Sequence, residues 1–372
     1  MKIGAAIVML ACCVALAPLE IAAQTLAPPA LRTQTNVVLV PALVRNTKGE
    51  LAFALKAGDF RVTDDGIEQP LILDEDTGSE PLALVGAVET GGGGRTKLEN
   101  YRNLTAVIDA VVGGVPHRVA VVAFDSTARV VQDFTANADA VGAALHDLDQ
   151  GDKGAAILDG LAFSVDLLRK QPANYRRAIL LISETIDRAS QTKMDDALRA
   201  ISDTNTAIYS LGFSSGKADA AHYADRELPI HSGENAHPGP PHGCMGKDPD
   251  PDATQNKGVQ AFDCLALLAP PLALAKMAAI RAADGLERNV PETVAQVTGG
   301  EYFKFENSKS LVRSLLTISN HVPNRYVLSF NPQSPHAGFH AVELKLVGHP
   351  GLHVTARSGY WADADGIAAV QP

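Results

Sequence analysis

Leu82-Ala83-Leu84-Val85-Gly86-Ala87-Val88-Glu89 decides the fold. The run stays apolar without polar alternation until it ends on a carboxylate. A strand with one face in water alternates, whereas an uninterrupted apolar run suits a strand covered on both faces. Three more such runs follow, at Val119 to Phe124, Ala178 to Ile182 and Ala207 to Leu211. Stretches of helical composition lie among them, at Lys97 to Val112, Ala136 to Leu148, Ala155 to Lys170, Lys193 to Asp203 and Pro291 to Thr298. Strand and helix in alternation predict an α/β domain, a doubly wound and mostly parallel sheet.

The flanks have another rhythm. Val37 to Val44, Phe60 to Val62 and Leu71 to Leu73 are separated by the turn signals Asn46-Thr47-Lys48-Gly49 and Asp64-Asp65-Gly66, which reads as strands and hairpins. The C-terminal end is alike, with Tyr326 to Phe330, His340 to Val347 and His353 to Ala356 parted by Asn331-Pro332 and Pro350-Gly351. Neither flank holds enough strands to be stable alone. The expected architecture is therefore an α/β domain over residues 80–322, inserted into one β-sandwich formed by residues 35–78 and 323–362. Near the end Tyr360 and Trp361 form an aromatic pair, and Trp361 is expected to cover one end of the sandwich core.

Of 372 residues, 46% are hydrophobic and 20% charged, too apolar for a disordered chain and too charged for a polytopic membrane protein. The net charge is -10 and no basic run interrupts it, which argues against nucleic acid and anionic membrane surfaces as partners. Lys2, the apolar stretch Ile3 to Ala17 and the small residues of Ile21-Ala22-Ala23 read as an export signal over residues 1–23. Pro18 and Glu20 cut that run below the ~20 residues that span a bilayer, so periplasmic or secreted localisation is expected, without membrane insertion after cleavage. Cys244 and Cys264 then remain as a pair in an oxidising compartment, which predicts a disulfide. It would pin a long loop, residues 214–270, rich in Pro and Gly and carrying His222, His231, His237 and His242. A zinc site built from these cysteines with His237 and His242 is disfavoured, because their separation is unlike the short C-x2-4-C spacing of structural zinc.

Two motifs bear on chemistry. Glu89-Thr90-Gly91-Gly92-Gly93-Gly94 ends the first central strand, where doubly wound sheets bind ligands. Gly86 and Gly91 have the spacing of a phosphate-binding loop, but Gly92 and Gly93 stand where Lys and Ser or Thr are required, so no phosphate cradle is expected. Gly212-Phe213-Ser214-Ser215-Gly216 fits the G-x-S-x-G elbow of serine hydrolases, with Ser214 as nucleophile and Asp284 and His321 as candidate partners. That elbow requires a helix at once, whereas this sequence soon runs into the Pro- and His-rich loop.

Together these residues resemble the von Willebrand factor A-related domain proteins of bacteria, an exported family. The likeness is carried by Asp59-Phe60-Arg61-Val62-Thr63-Asp64-Asp65-Gly66, the strand before Glu89, Gly154-Ala155-Ala156-Ile157-Leu158-Asp159-Gly160 and Ile179-Leu180-Leu181-Ile182-Ser183-Glu184. It continues through Thr298-Gly299-Gly300-Glu301-Tyr302-Phe303 and Arg325-Tyr326-Val327-Leu328 to Gly359-Tyr360-Trp361. The resemblance implies a metal-ion-dependent adhesion site, in which a D-x-S-x-S loop, a threonine and an aspartate hold a divalent cation. This sequence departs from it: Glu89, Gly91 and Gly93 replace the Asp and two Ser, Ala155 stands for the Thr, and Glu184 for the second Asp. A hard cation wants carboxylate and hydroxyl oxygens in a near-octahedral cage, and the hydroxyls are gone. The resemblance thus implies a non-enzymatic protein-interaction module with a degenerate adhesion site at Glu89, Thr90 and Glu184, a protein partner, and no metal or cofactor. The blander reading of Glu89 and Glu184 is two solvated carboxylates at strand ends.

Overall fold

The structure is a computed structural model that describes residues 37–74, 80–101, 111–112, 115–214, 289–333 and 336–362. The signal segment 1–23, Cys244, Cys264 and their expected disulfide, the loop beyond Ser214 and Asp284 lie outside the described residues.

The strands β1 (Val38–Asn46), β2 (Phe60–Asp64), β3 (Ile67–Gln69) and β4 (Leu71–Asp74) come first. The central part continues with β5 (Leu82–Glu89), β6 (His117–Phe124), β7 (Ala128–Thr135), α1 (Ala138–His146), α2 (Ile157–Arg169) and β8 (Arg176–Glu184). It goes on through α3 (Met194–Asp203), β9 (Ala207–Phe213), α4 (Val290–Thr298), β10 (Tyr302–Lys304) and α5 (Ser308–His321). Four strands follow: β11 (Tyr326–Phe330), β12 (Gly338–Leu346), β13 (Leu352–Ala356) and β14 (Gly359–Ala362).

The central sheet has the order β10-β9-β8-β5-β6-β7, and only β7 runs antiparallel to its neighbour. Every residue of β5 is buried. Leu82, Leu84 and Val88 share a core with Leu145 of α1 and Leu311, Leu315 and Ile318 of α5. Ala83, Val85 and Ala87 face the other way, onto Leu161 and Val165 of α2 and Leu198 of α3. Burial on both faces is the physical reason the run lacks polar alternation. Helix ends follow local chemistry. The Asn137 side chain accepts the N–H of Asp139 at the start of α1, and α4 begins with Pro291 in its first turn and ends on Gly299 in the left-handed region, φ +79°.

Three details differ from expectation. Residues 97–101 form short 3-10 turns that bury Leu98 and Tyr101, rather than the start of an α-helix. β7 lies where no strand was expected: as the edge strand it leaves Val130 and Val131 exposed, so its sequence carries no clean apolar run. α5 is likewise an addition, capped by Asn307, whose side chain accepts the N–H of Ser310.

The flanking segments form two antiparallel sheets, β13-β1-β11-β4 and β14-β12-β2-β3. Val40 and Val44 of β1, Phe60 and Val62 of β2, Leu328 and Phe330 of β11, and Val342 and Leu344 of β12 fill one shared core. β1 sits between β11 and β13, with Val40 opposite Leu328 and Val44 opposite Val354. An N-terminal strand held between two C-terminal ones explains why neither flank closes a sandwich alone.

Arg357 joins the sandwich to the central domain. It is 3% exposed; its Nη1 donates to Leu39 O at 3.2 Å and to Asn205 Oδ1 at 3.1 Å, its Nη2 to Ser202 Oγ at 3.3 Å, and its Nε to Gly359 O at 2.8 Å. Trp361 corrects the expectation made for it. Tyr360 enters the sandwich core, while Trp361 lies over the Arg199 guanidinium of α3 at 4.9 Å and donates its backbone N–H to Ser202 Oγ at 2.9 Å.

Candidate functional site

Glu89 ends β5 and Glu184 ends β8, a neighbouring parallel strand, so both carboxylates leave the sheet at its C-terminal edge. Neither meets water: both residues are 0% exposed, which corrects the reading of two solvated carboxylates. Glu89 Oε2 accepts the backbone N–H of Glu184 at 2.7 Å, and its Oε1 accepts the N–H of Gly94 at 3.0 Å. Burial pushes the Glu89 carboxyl up to about 8, against the lowering influence of the Gly94 N–H and the Arg188 cation. Glu184 is ion-paired with the guanidinium of Arg188. Thr90 is also fully buried; its hydroxyl donates to Phe124 O at 3.2 Å.

Arg188 is held by its surroundings. Its backbone N–H donates to Ala155 O at 3.1 Å. The preceding Asp187 is docked on the start of α2, accepting the Leu158 N–H at 2.8 Å and the N–H and hydroxyl of Ser190 at 3.0 and 2.5 Å. The guanidinium is thus aimed back at the end of β8 while its side chain keeps 28% exposure. Sequence reading missed Arg188. The signal was an acid followed four residues later by a base, Glu184-Thr185-Ile186-Asp187-Arg188, in a loop leaving the sheet edge.

The glycine loop closes over the same place. Gly92 adopts φ +42°, where side chains are strained, and a Cβ there would stand 3.0 Å from Glu184 Oε1, 3.1 Å from Glu89 Oε1 and 3.2 Å from Ala155 Cβ. A Cβ on Gly91 would stand 2.1 Å from Gly154 O and 2.6 Å from Asp125 Cβ. Backbone therefore fills the space that hydroxyl side chains would need. The residues present do not fit a hard divalent cation: the Glu89 oxygens face N–H groups, Glu184 faces a guanidinium, and positions 91, 93 and 155 supply no hydroxyl. Around this centre lies a polar rim. Asp152 Oδ1 accepts the N–H groups of Ser126 and Gly154 at 3.1 and 2.7 Å; a hydrogen bond from the Ser126 side chain, then these N–H groups, holds its carboxyl below the usual range.

The structure does not bring Ser214 and His321 together. Ser214 follows the last residue of β9, whereas His321 Nδ1 lies 2.9 Å from Glu301 Oε2, which also accepts from Arg325 Nη2 at 2.8 Å. Glu301 O accepts the N–H of Ser210, four residues before Ser214, and at ~3.3 Å per residue of strand that is about 13 Å away along the sheet. His321 serves a buried ion cluster.

Residues 87–187 match the von Willebrand factor type A domain. Among solved structures the chain is similar to a conserved hypothetical protein BatB from Bacteroides thetaiotaomicron, at 12% identity and TM-score 0.35, over 64% of this chain and 99% of that one. It is similar to an aerotolerance-related membrane protein from Bacteroides fragilis, at 13% identity and TM-score 0.36, over 64% and 98%. The SpRpn10 VWA domain is similar at 13% identity and TM-score 0.29, over 40% and 82%. None of the curated proteins compared matches the chain. The match over residues 87–187 falls on the six-stranded sheet, from β5 to the loop after β8, so this part of the chain is a von Willebrand factor type A domain.

Proposed function

We propose that the chain is an exported, non-enzymatic protein-interaction module whose A domain meets its partner without a metal ion. One observation carries this reading: at the sheet edge where the family's cation would sit, the Arg188 guanidinium pairs with buried Glu184 beneath a closed glycine loop. A fixed guanidinium supplies positive charge there with no ion to recruit. Glu89, Thr90 and Glu184 then act from beneath, holding the loop and Arg188 in place. The partner meets the partly exposed guanidinium and the rim around Asp152. Export rests on Lys2, the apolar Ile3 to Ala17 and the small residues before Gln24. Among the described residues no helix is long and apolar enough to cross a membrane.

The test is a pull-down from the exporting cell's envelope with the immobilised full chain, in magnesium and in EDTA. The same protein is expected in both, and its capture is expected to fall in Arg188→Glu. Capture that needs magnesium, together with a melting temperature raised by magnesium in the parent and not in Glu89→Ala, would restore metal-dependent adhesion. Labelling by a fluorophosphonate probe, lost in Ser214→Ala, would point to a hydrolase instead.

A further inference from the structure

A second cluster of chemistry-bearing side chains lies in the sandwich. Asp64 ends β2, Asp65 begins the tight turn to β3 with φ +48°, and His340 stands on β12, the strand paired with β2. His336 precedes β12 and completes the spacing His336-x3-His340. Asp65 Oδ2 lies 3.0 Å from His340 Nδ1 and 3.0 Å from His336 Nε2, and Asp64 Oδ1 lies 3.1 Å from the same His340 Nδ1. Around a zinc ion with ligands at about 2.0–2.1 Å, tetrahedral donors stand ~3.3 Å from one another, so these separations are close to those of a coordination shell.

The atoms facing away from that point are all engaged. Tyr360 donates its hydroxyl to Asp64 Oδ2 at 3.0 Å, and Ala341 donates its N–H to Asp65 Oδ1 at 3.0 Å. His340 Nε2 lies 2.8 Å from the His336 carbonyl, which places a hydrogen on Nε2 and turns Nδ1 toward the two carboxylates. Such partners orient and fix metal ligands. A metal ion at that point would take the Nδ1 lone pair and displace any proton held there.

We propose that Asp65, His336 and His340, whose ligand atoms all lie within 4.8 Å of one another, form a binding site for one zinc ion, with one carboxylate oxygen and two imidazole nitrogens as ligands and Asp64 adjoining at His340. Imidazole with carboxylate favours zinc and its transition-metal neighbours over magnesium or calcium, which take oxygen alone. The His336 ring stacks on His340 at 3.9 Å and 16°, which keeps the two in-plane lone pairs in parallel planes. Binding therefore tilts the His336 ring off the stack, and its exposed side chain leaves room for that. Asp65 and His340 are already placed, 3.0 Å apart. The ion would tie the β2–β3 turn to the start of β12.

The experiment titrates the chelator-treated full chain with zinc by calorimetry, and with cobalt(II) by visible absorption. One equivalent is expected, with the intense d–d bands of tetrahedral cobalt, and affinity at least tenfold weaker in His336→Ala and in Asp65→Ala. His336 is exposed, so its variant should fold, and an unchanged metal-free melting temperature checks this. No binding of either metal would overturn the site. So would binding that survives both substitutions, or that is lost instead in Cys244→Ala, which would place the ion elsewhere in the chain.

Discussion

The carboxylate of Glu89 receives the backbone N–H of Glu184 at 2.7 Å, so the charge state of one strand end bears on the position of the next. The carboxyl titrates near 4.5 when free of the fold and is pushed to about 8 within it, chiefly by burial. Between those pH values the folded chain holds a proton that the unfolded chain has lost. The stability linked to that proton is complete below about pH 4.5, fades as pH rises, and is gone above about 8, a loss on the order of a few kcal/mol. Urea denaturation of the parent and Glu89→Gln across this range should show a steeper decline in the parent. Glutamine lowers absolute stability by placing an NH2 group where an N–H was received, so the slope is the quantity to compare. Parallel slopes would mean that Glu89 is ionised throughout.

Arg188→Met takes the guanidinium from a carboxylate with 0% exposure while keeping much of the aliphatic bulk. Breaking a buried pair from one side costs about 3–5 kcal/mol, and the partial exposure of Arg188 favours the lower end. Adding Glu184→Gln to the same chain should recover a large part of the loss. A double-mutant cycle measures the coupling, and additive losses would show that the pair contributes nothing.

Gly91→Ser tests whether the missing hydroxyls are restored by sequence alone. The new Cβ would meet Gly154 O at 2.1 Å and Asp125 Cβ at 2.6 Å, both parts of a packed loop. Overpacking of this kind costs about 1–3 kcal/mol or more. The variant should melt lower than the parent and show no rise in melting temperature with millimolar magnesium. A magnesium-dependent rise would mean that the loop opens readily and that the adhesion site is one substitution from working.

Much of the fold was legible because burial leaves a pattern along the chain. Leu82 to Val88 and Ala178 to Ile182 are covered on both faces and read as unbroken apolar runs, while the flanks alternate around one shared core. β7 was not legible, since an edge strand with Val130 and Val131 exposed has no covered face to record. The site was half legible. The sheet edge pointed to Glu89 and Glu184, but their burial depends on Arg188 and on Gly92 reaching them through space, and no local pattern encodes that. His336 and His340 were equally silent. Their meaning comes from Asp64 and Asp65, brought beside them only when β12 pairs with β2.

Trp361 offers a native probe of how the sandwich and the central domain are joined. It is the chain's single tryptophan, it belongs to β14 of the sandwich, and it rests on Arg199 and Ser202 of α3 in the central domain. Its fluorescence therefore reports the contact, while far-UV circular dichroism is dominated by the helices. Buried Arg357, whose pKa burial lowers to about 10, supplies Leu39, Gly359, Asn205 and Ser202 with hydrogen bonds across the same region. In the parent the two signals should change together in urea, since the contact is part of one cooperative structure. Arg357→Met leaves the carbonyls of Leu39 and Gly359 without this donor, at roughly 1–3 kcal/mol for each buried group left unsatisfied. Both transitions should move to lower urea in the variant, the fluorescence change at least as far as the dichroism. If fluorescence in the parent changed well before dichroism, the sandwich and the central domain would unfold independently, and Arg357 would be a local contact of β14 rather than the joint between them.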